Sequence, residues 1–197
     1  MKTSASINEN IYKYQIDEYD KIKCVSENWD KFAAENDALD LVSKPQVLNR
    51  PLWDFITDIE TRHLYSIVID RVRKENVPVD IPFRCDSPNL RRFMKMTIKP
   101  LSDNKVRFKS EIMRVEKREP LKILDKNETR SNENIEMCSF CKKIKMAKNK
   151  WGDTEDAIQI LHLFDYAKPP QITHGLCPEC YQAVLAELNC YNLIYGV

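Results

Sequence analysis

Glycine is nearly missing from this chain, with three in 197 residues, the first at Gly152. A loop that cradles phosphate needs glycines for its tight turns and for close backbone approach. Neither a P-loop nor a dinucleotide fingerprint can therefore occur in the first 151 residues. Charge of one sign is lacking too: 31 Lys and Arg against 30 Asp and Glu leave a net +1, so no global field draws the chain to nucleic acid or anionic lipid. No apolar run approaches the roughly 20 residues that cross a bilayer, and no membrane partner is expected. "MKTSASINENIYKYQ" has no apolar signal-peptide core, so the expected location is the cytoplasm. In that reducing setting seven cysteines are read as thiols or ligands rather than disulfides. No Ser/His/Asp, Cys/His or paired-carboxylate arrangement stands out by spacing, and the chain is not read as an enzyme.

What is there begins with strands. "IYKYQI" alternates Tyr12, Tyr14 and Ile16 against Lys13 and Gln15, and "KIKCV" continues after a turn. Trp29, Phe32 and Ala33 then predict a short amphipathic helix, and "PLWDFI" another short helical element. Thr57 and Glu60 stand at capping-box spacing before the longest helical pattern, about Asp58 to Lys74, with Leu64, Tyr65, Val68 and Val72 as its stripe. Three strands follow: "VPVDIPFRC", "RRFMKMTIKP" and "KVRFKSEIMRVEKRE", with "LSDNK" as a hairpin connection and a phase switch at Met113 and Val115 that fits a bulge. This order predicts an α+β fold with a five-stranded antiparallel sheet and flanking helices over residues 1–116. Lys117 to Glu136 reads as a linker in which Leu121, Ile123 and Leu124 dock locally. Residues 137–197 form the last module, with one helix behind Asp153 (Ala157, Ile160, Leu161, Phe164) and one opening at Pro178 (Tyr181, Val184, Leu185, Leu188). Two short helices bury little, so something must staple them.

The staple is read from Cys138-x2-Cys141 and Cys177-x2-Cys180. Four thiolates suit Zn2+, bound tetrahedrally at about 2.3 Å per sulfur, in a closed structural site that contributes folding energy. His174 is an alternative ligand for one thiol, and a redox dithiol or packing thiols are the competing readings. The lysines after Cys141 are either a solvated loop or phosphate contacts, with Lys142, Lys143 and Lys145 as the nucleic-acid candidates. Trp151 is read as a packing anchor. His63, on the long helix, is a candidate haem or metal ligand, and Cys24 and Cys85 are read as small core residues. "RCDSP" brings Arg84, Asp86 and Ser87 together ahead of Arg91 and Arg92, which suits an anion site or an ion pair with a turn cap.

The succession of "IYKYQIDEYDKIKCVSENWDKFAAEN", "RPLWDFI", the long helix and three strands ending in "VRFKSEIMRVEKRE" resembles the PAS-domain family over residues 10 to 117. The resemblance implies a sheet cupping a small-molecule pocket, lined here by Phe55, Leu64, Tyr65, Val68, Met94 and Met96. "VLNRPLWDFITD" lacks the reactive cysteine of flavin-binding members. "MCSFCKKIK", Trp151 and "THGLCPEC" are similar to a CSxCK...W...HGxCPxC segment appended to PAS or receiver regions in some bacterial signalling proteins. Together these imply a bacterial sensory or regulatory protein, a homodimer by the same resemblance, in which a PAS-like domain binds a ligand or partner. The zinc module would then be an interaction or output platform for a protein partner. The alternatives are a nucleic-acid-binding regulator and a thiol redox switch.

Overall fold

In the computed structural model, residues 10–163 and 167–195 are described, the side chains only as far as residue 189. The alternation at the start becomes strand β1 (Ile11–Ile16), which buries Tyr12 and Ile16 and pairs antiparallel with β2 (Ile22–Val25). Three short helices follow: α1 (Trp29–Glu35), α2 (Leu39–Val42) and α3 (Lys44–Val47). A single 3-10 turn over Leu52–Phe55 leads to the long helix α4 (Ile59–Glu75). Strands β3 (Val79–Arg84), β4 (Leu90–Pro100) and β5 (Val106–Lys117) complete a five-stranded antiparallel sheet in the order β2-β1-β5-β4-β3.

Its core is built as the periodicity demands. Leu64, Val68, Ile69 and Val72 of α4 are fully buried, as are Ile98 of β4 and Val106 and Phe108 of β5, and Met94 and Met96 of β4 are buried beside them. Phe108 stacks on Tyr14 with centroids 4.4 Å apart. The helix cap differs from the expected Thr57 capping box. Asp58 accepts the Thr61 N–H at 2.7 Å, because its carboxylate is the better acceptor and lies one residue closer to the first turn. At the β4–β5 turn Asp103 and Asn104 both take left-handed φ (59° and 55°), the primed geometry that matches strand twist. Near that turn Leu101 N–H donates to Lys105 O, whereas at the far end Arg118 N–H donates to Asn89 O. β5 thus carries one residue more than β4 between these rungs, and Met113 and Val115 end up exposed.

Two compact units divide the described residues: 10–57, 62–82 and 93–114 in the first, and 58–61, 83–92 and 115–195 in the second. The second contains β6 (Asn134–Cys138), β7 (Ile144–Ala147), β8 (Lys150–Gly152), α5 (Thr154–Ile160), β9 (Gln171–Gly175) and α6 (Pro178–Tyr195). Its sheet runs β8-β7-β6-β9, with β6 and β9 parallel from Asn134↔Gln171 to Cys138↔Gly175.

A purely helical module was expected, and the sheet corrects that. Its strands are three to five residues long, too short to show a period. The segment read as a linker is folded into this unit: Leu121 and Ile123 are buried against Ile158, with Leu124 packed beside them. Helix α5 is shorter than expected. It stops at Ile160, which is exposed while Ile158 is buried, and Phe164 lies outside the described residues. Asp153 holds the N-cap position without a side-chain cap bond; its carboxylate accepts from Arg84 Nη1 at 3.1 Å instead. Cys24, read as a core residue, is exposed on the sheet's edge strand β2, and Cys85 is half-buried.

Candidate metal centre

The two cysteine pairs reach one point because two different local structures present them. After β6 the chain folds into a knuckle: Cys138 N–H donates to Lys143 O at 2.8 Å and Lys142 N–H to Cys138 O at 3.2 Å. This turn requires Lys142 at φ 62°, a left-handed conformation that costs an L side chain about 1 kcal/mol or more. The turn is pinned on both sides. Ser139 N–H donates to Gly175 O at 2.8 Å, and the fully buried Thr154 hydroxyl donates to Lys142 O at 3.1 Å. The second pair opens α6, Cys177 just before Pro178 and Cys180 in the first turn. Leu176 N–H donates to Glu60 Oε2 at 3.3 Å, so Glu60 anchors this approach rather than closing a capping box.

All four sulfurs, of Cys138, Cys141, Cys177 and Cys180, lie within 4.8 Å of one another. Cys141 Sγ and Cys177 Sγ are 3.6 Å apart, far beyond a disulfide bond of about 2.05 Å. A tetrahedral ion with bonds of about 2.3 Å separates its sulfur ligands by about 3.8 Å, close to the separation of Cys141 and Cys177. Cys177 N–H donates to Cys138 Sγ and Cys180 N–H to Cys177 Sγ, both at 3.4 Å, so the backbone already offers positive charge to the sulfurs. Cys138 and Cys177 are buried and the other two half-buried. Four cysteines this close are able to hold a metal ion.

Without a cation the thiols of Cys138, Cys141 and Cys180 do not ionise together. Cys138 ionises first, well below the usual thiol range, because the Cys141 and Cys180 thiols and the Cys177 N–H donate to its sulfur. Donating to that thiolate pushes Cys141 up to about 12, and Cys180 is driven up for the same reason.

The other candidates fall in varied places. His174 is outside the four-sulfur cluster; it lies exposed on β9 opposite Met137, and partial desolvation together with Lys142 lowers its pKa. Lys143 and Lys145 are held by carboxylates, Glu179 and Glu136, each at 2.6 Å, and Lys142 Nζ donates to Ser139 O at 2.8 Å. Two of the three nucleic-acid candidates therefore already have anionic partners. The segment expected as a loop is the β7–β8 hairpin, in which Lys145 also sits 5.7 Å from the Trp151 ring centroid. Leu64, Val68, Met94 and Met96 are buried in the first unit, and Tyr65 donates to Met96 Sδ at 3.6 Å. Phe55, half-buried, lies under the Arg50 guanidinium at 4.8 Å. His63 is exposed, which removes the enclosed surroundings a haem ligand needs.

One charged neighbourhood was legible only in part. Arg84 pairs with Asp86 as "RCDSP" suggested, but Asp86 also meets Arg118 at 3.3 Å. Glu155 joins Arg118 at 3.2 Å and Arg91 at 2.8 Å. These partners are separated by more than 30 residues in the chain, and no spacing rule finds them.

No family model, no curated protein and no solved structure matches the chain. Among the described residues, no helix is long and apolar enough to cross a membrane.

Proposed function

We propose that this chain is a bacterial, cytoplasmic sensory or regulatory protein. In this reading a PAS-like domain takes up a small ligand or partner, and the four-cysteine unit, held by a structural Zn2+, serves as an interaction or output platform. The observation that carries the metal half is the closed set of four sulfurs within 4.8 Å. All-thiolate donors favour Zn2+ over the hard cations, and a complete set of four leaves no open position for substrate or water, which assigns the ion to structure. Bound there, it would supply cross-linking and charge neutralisation. The protein's own part is to aim two backbone N–H groups at sulfur and to lock the knuckle through Ser139 and Thr154. The sensory half is supported by the succession of elements, two strands, short helices, one long helix and three strands closing a five-stranded sheet. A homodimer accords with the same resemblance.

Native mass spectrometry of untagged full-length protein, purified without chelator, tests this reading. One Zn2+ per chain with an organic adduct supports both halves. Zn2+ without an adduct in any preparation removes the ligand from the proposal and leaves an interaction module, and the absence of any metal refutes the structural site. The thiol-switch reading has one observation in its favour, the low pKa of Cys138 beside Cys141. It requires a mild oxidant to release metal reversibly.

A further inference from the structure

The paired strands β6 and β9 set Met137, Ile172 and His174 on one face, and that face lines a cavity of about 470 Å3 within the second unit. This volume is in the range of small-molecule sites. Leu124, Met137 and Ile172 supply an apolar wall, while Lys126, Arg130, Lys142 and His174 supply cations and donors. The single carboxylate in the lining is Asp86, whose side chain is 2% exposed and paired with both Arg84 and Arg118. Its charge is therefore already answered.

Two of the cations are answered differently. Arg130 donates to the carbonyls of Ile123 (2.8 Å), Pro170 (3.2 Å) and Asp125, and Lys142 to that of Ser139. Neutral acceptors fix these two groups in place; Arg130 thereby keeps its charge for an anion, while Lys142 is also attracted by the Asp86 carboxylate. Lys142 and His174 flank the two halves of the cysteine motif, and the fold brings both to this cavity although neither belongs to the sulfur cluster.

We infer that this cavity binds a small oxyanion-bearing molecule, a phosphate monoester or a carboxylate. Its charged end sits among Lys126, Arg130 and Lys142, His174 serves as a further donor, and its apolar part lies over Leu124, Met137 and Ile172. The site lies wholly in the second unit and stands apart from the PAS-like reading.

The test is calorimetric titration of the metal-loaded full-length protein at low salt with phenyl phosphate, with benzoate, and with phenol as the uncharged control. Saturable one-site binding of either anion, weakened by added salt and absent for phenol, is the expected result; which anion binds more tightly separates phosphate from carboxylate ligands. Lys126→Glu, at an exposed position, is expected to weaken binding about tenfold or more, and His174→Gln to weaken it less, with metal content unchanged. Should Lys126→Glu lose its metal, the salt dependence of the intact protein and His174→Gln decide instead. Failure of both anions to bind, equal binding of phenol, salt-independent binding, or metal-replete variants that bind like the parent would each overturn the assignment.

Discussion

Loading metal into the four-cysteine cluster should release at least two protons at neutral pH. Cys141, pushed up to about 12, and Cys180, pushed up likewise, hold their protons in the metal-free fold, whereas the thiolates that bind a metal hold none. The sign follows directly. Groups with raised pKa must be deprotonated on binding, so apparent affinity rises with pH until these pKa values are reached. Two protons give about a hundredfold gain per pH unit, about 2.7 kcal/mol. Cys138 behaves in the opposite sense, since its lowered pKa means that its proton is already gone. Calorimetric titration of Zn2+ into metal-free protein, repeated in buffers of differing ionisation enthalpy, counts the protons. Competition with a chelator between pH 6.5 and 8 gives the slope. A count below one, or an affinity flat across that interval, would refute the coupling among the thiols.

Other consequences are open to test. Phe108→Ala, which empties a fully buried site stacked on Tyr14, should cost about 3 to 5 kcal/mol in urea unfolding; a loss under 1 kcal/mol would mean the first unit is not packed as described. Asp86→Asn leaves Arg84 and Arg118 buried without their shared carboxylate and should destabilise the second unit by about 3 kcal/mol, read by hydrogen exchange in β6 and β9. At Gly175 an added Cβ would lie 2.3 Å from Glu136 Oε1, so Gly175→Ala should displace Glu136 from Lys145 and lower stability by about 1 kcal/mol. Glu136→Ala in the same chain should remove most of that penalty, and non-additivity in a double-mutant cycle checks it.

Legibility in the sequence followed the length over which a pattern had room to repeat. Helix α4, with 17 residues, and strands β4 and β5, with 11 and 12, showed their periods and were placed correctly, including the stripe of Leu64, Val68 and Val72. The four clustered cysteines were readable because a knuckle and a helix start each fix their spacing locally, two residues between members of each pair. Short elements left no such trace. β8 is three residues long, and the parallel pairing of β6 with β9 joins segments some 37 positions apart, beyond the reach of any local rule. Lys117 to Glu136 looked like a linker because it is polar, yet Leu121 and Ile123 suffice to dock it while Arg130 bonds the surrounding carbonyls. Ion pairs such as Arg118–Glu155 and Arg84–Asp153 depend on tertiary approach and were out of reach for the same reason.

The parallel pairing of β6 with β9 also bears on the order in which the second unit assembles. Both strands run directly into cysteine pairs, with Cys138 opposite Gly175 at the last rung. Closing a loop of this length costs chain entropy on the order of 3 to 4 kcal/mol, and a short parallel pair repays little of that. A slip of one residue would turn every side chain of β9 to the other face and carry Cys177 and Cys180 out of reach of the first pair. Tight capture of a metal by all four sulfurs is therefore available only to chains in the correct register. An ion bound there would select that register from its competitors, acting as a checkpoint on topology as well as a clamp on the finished fold.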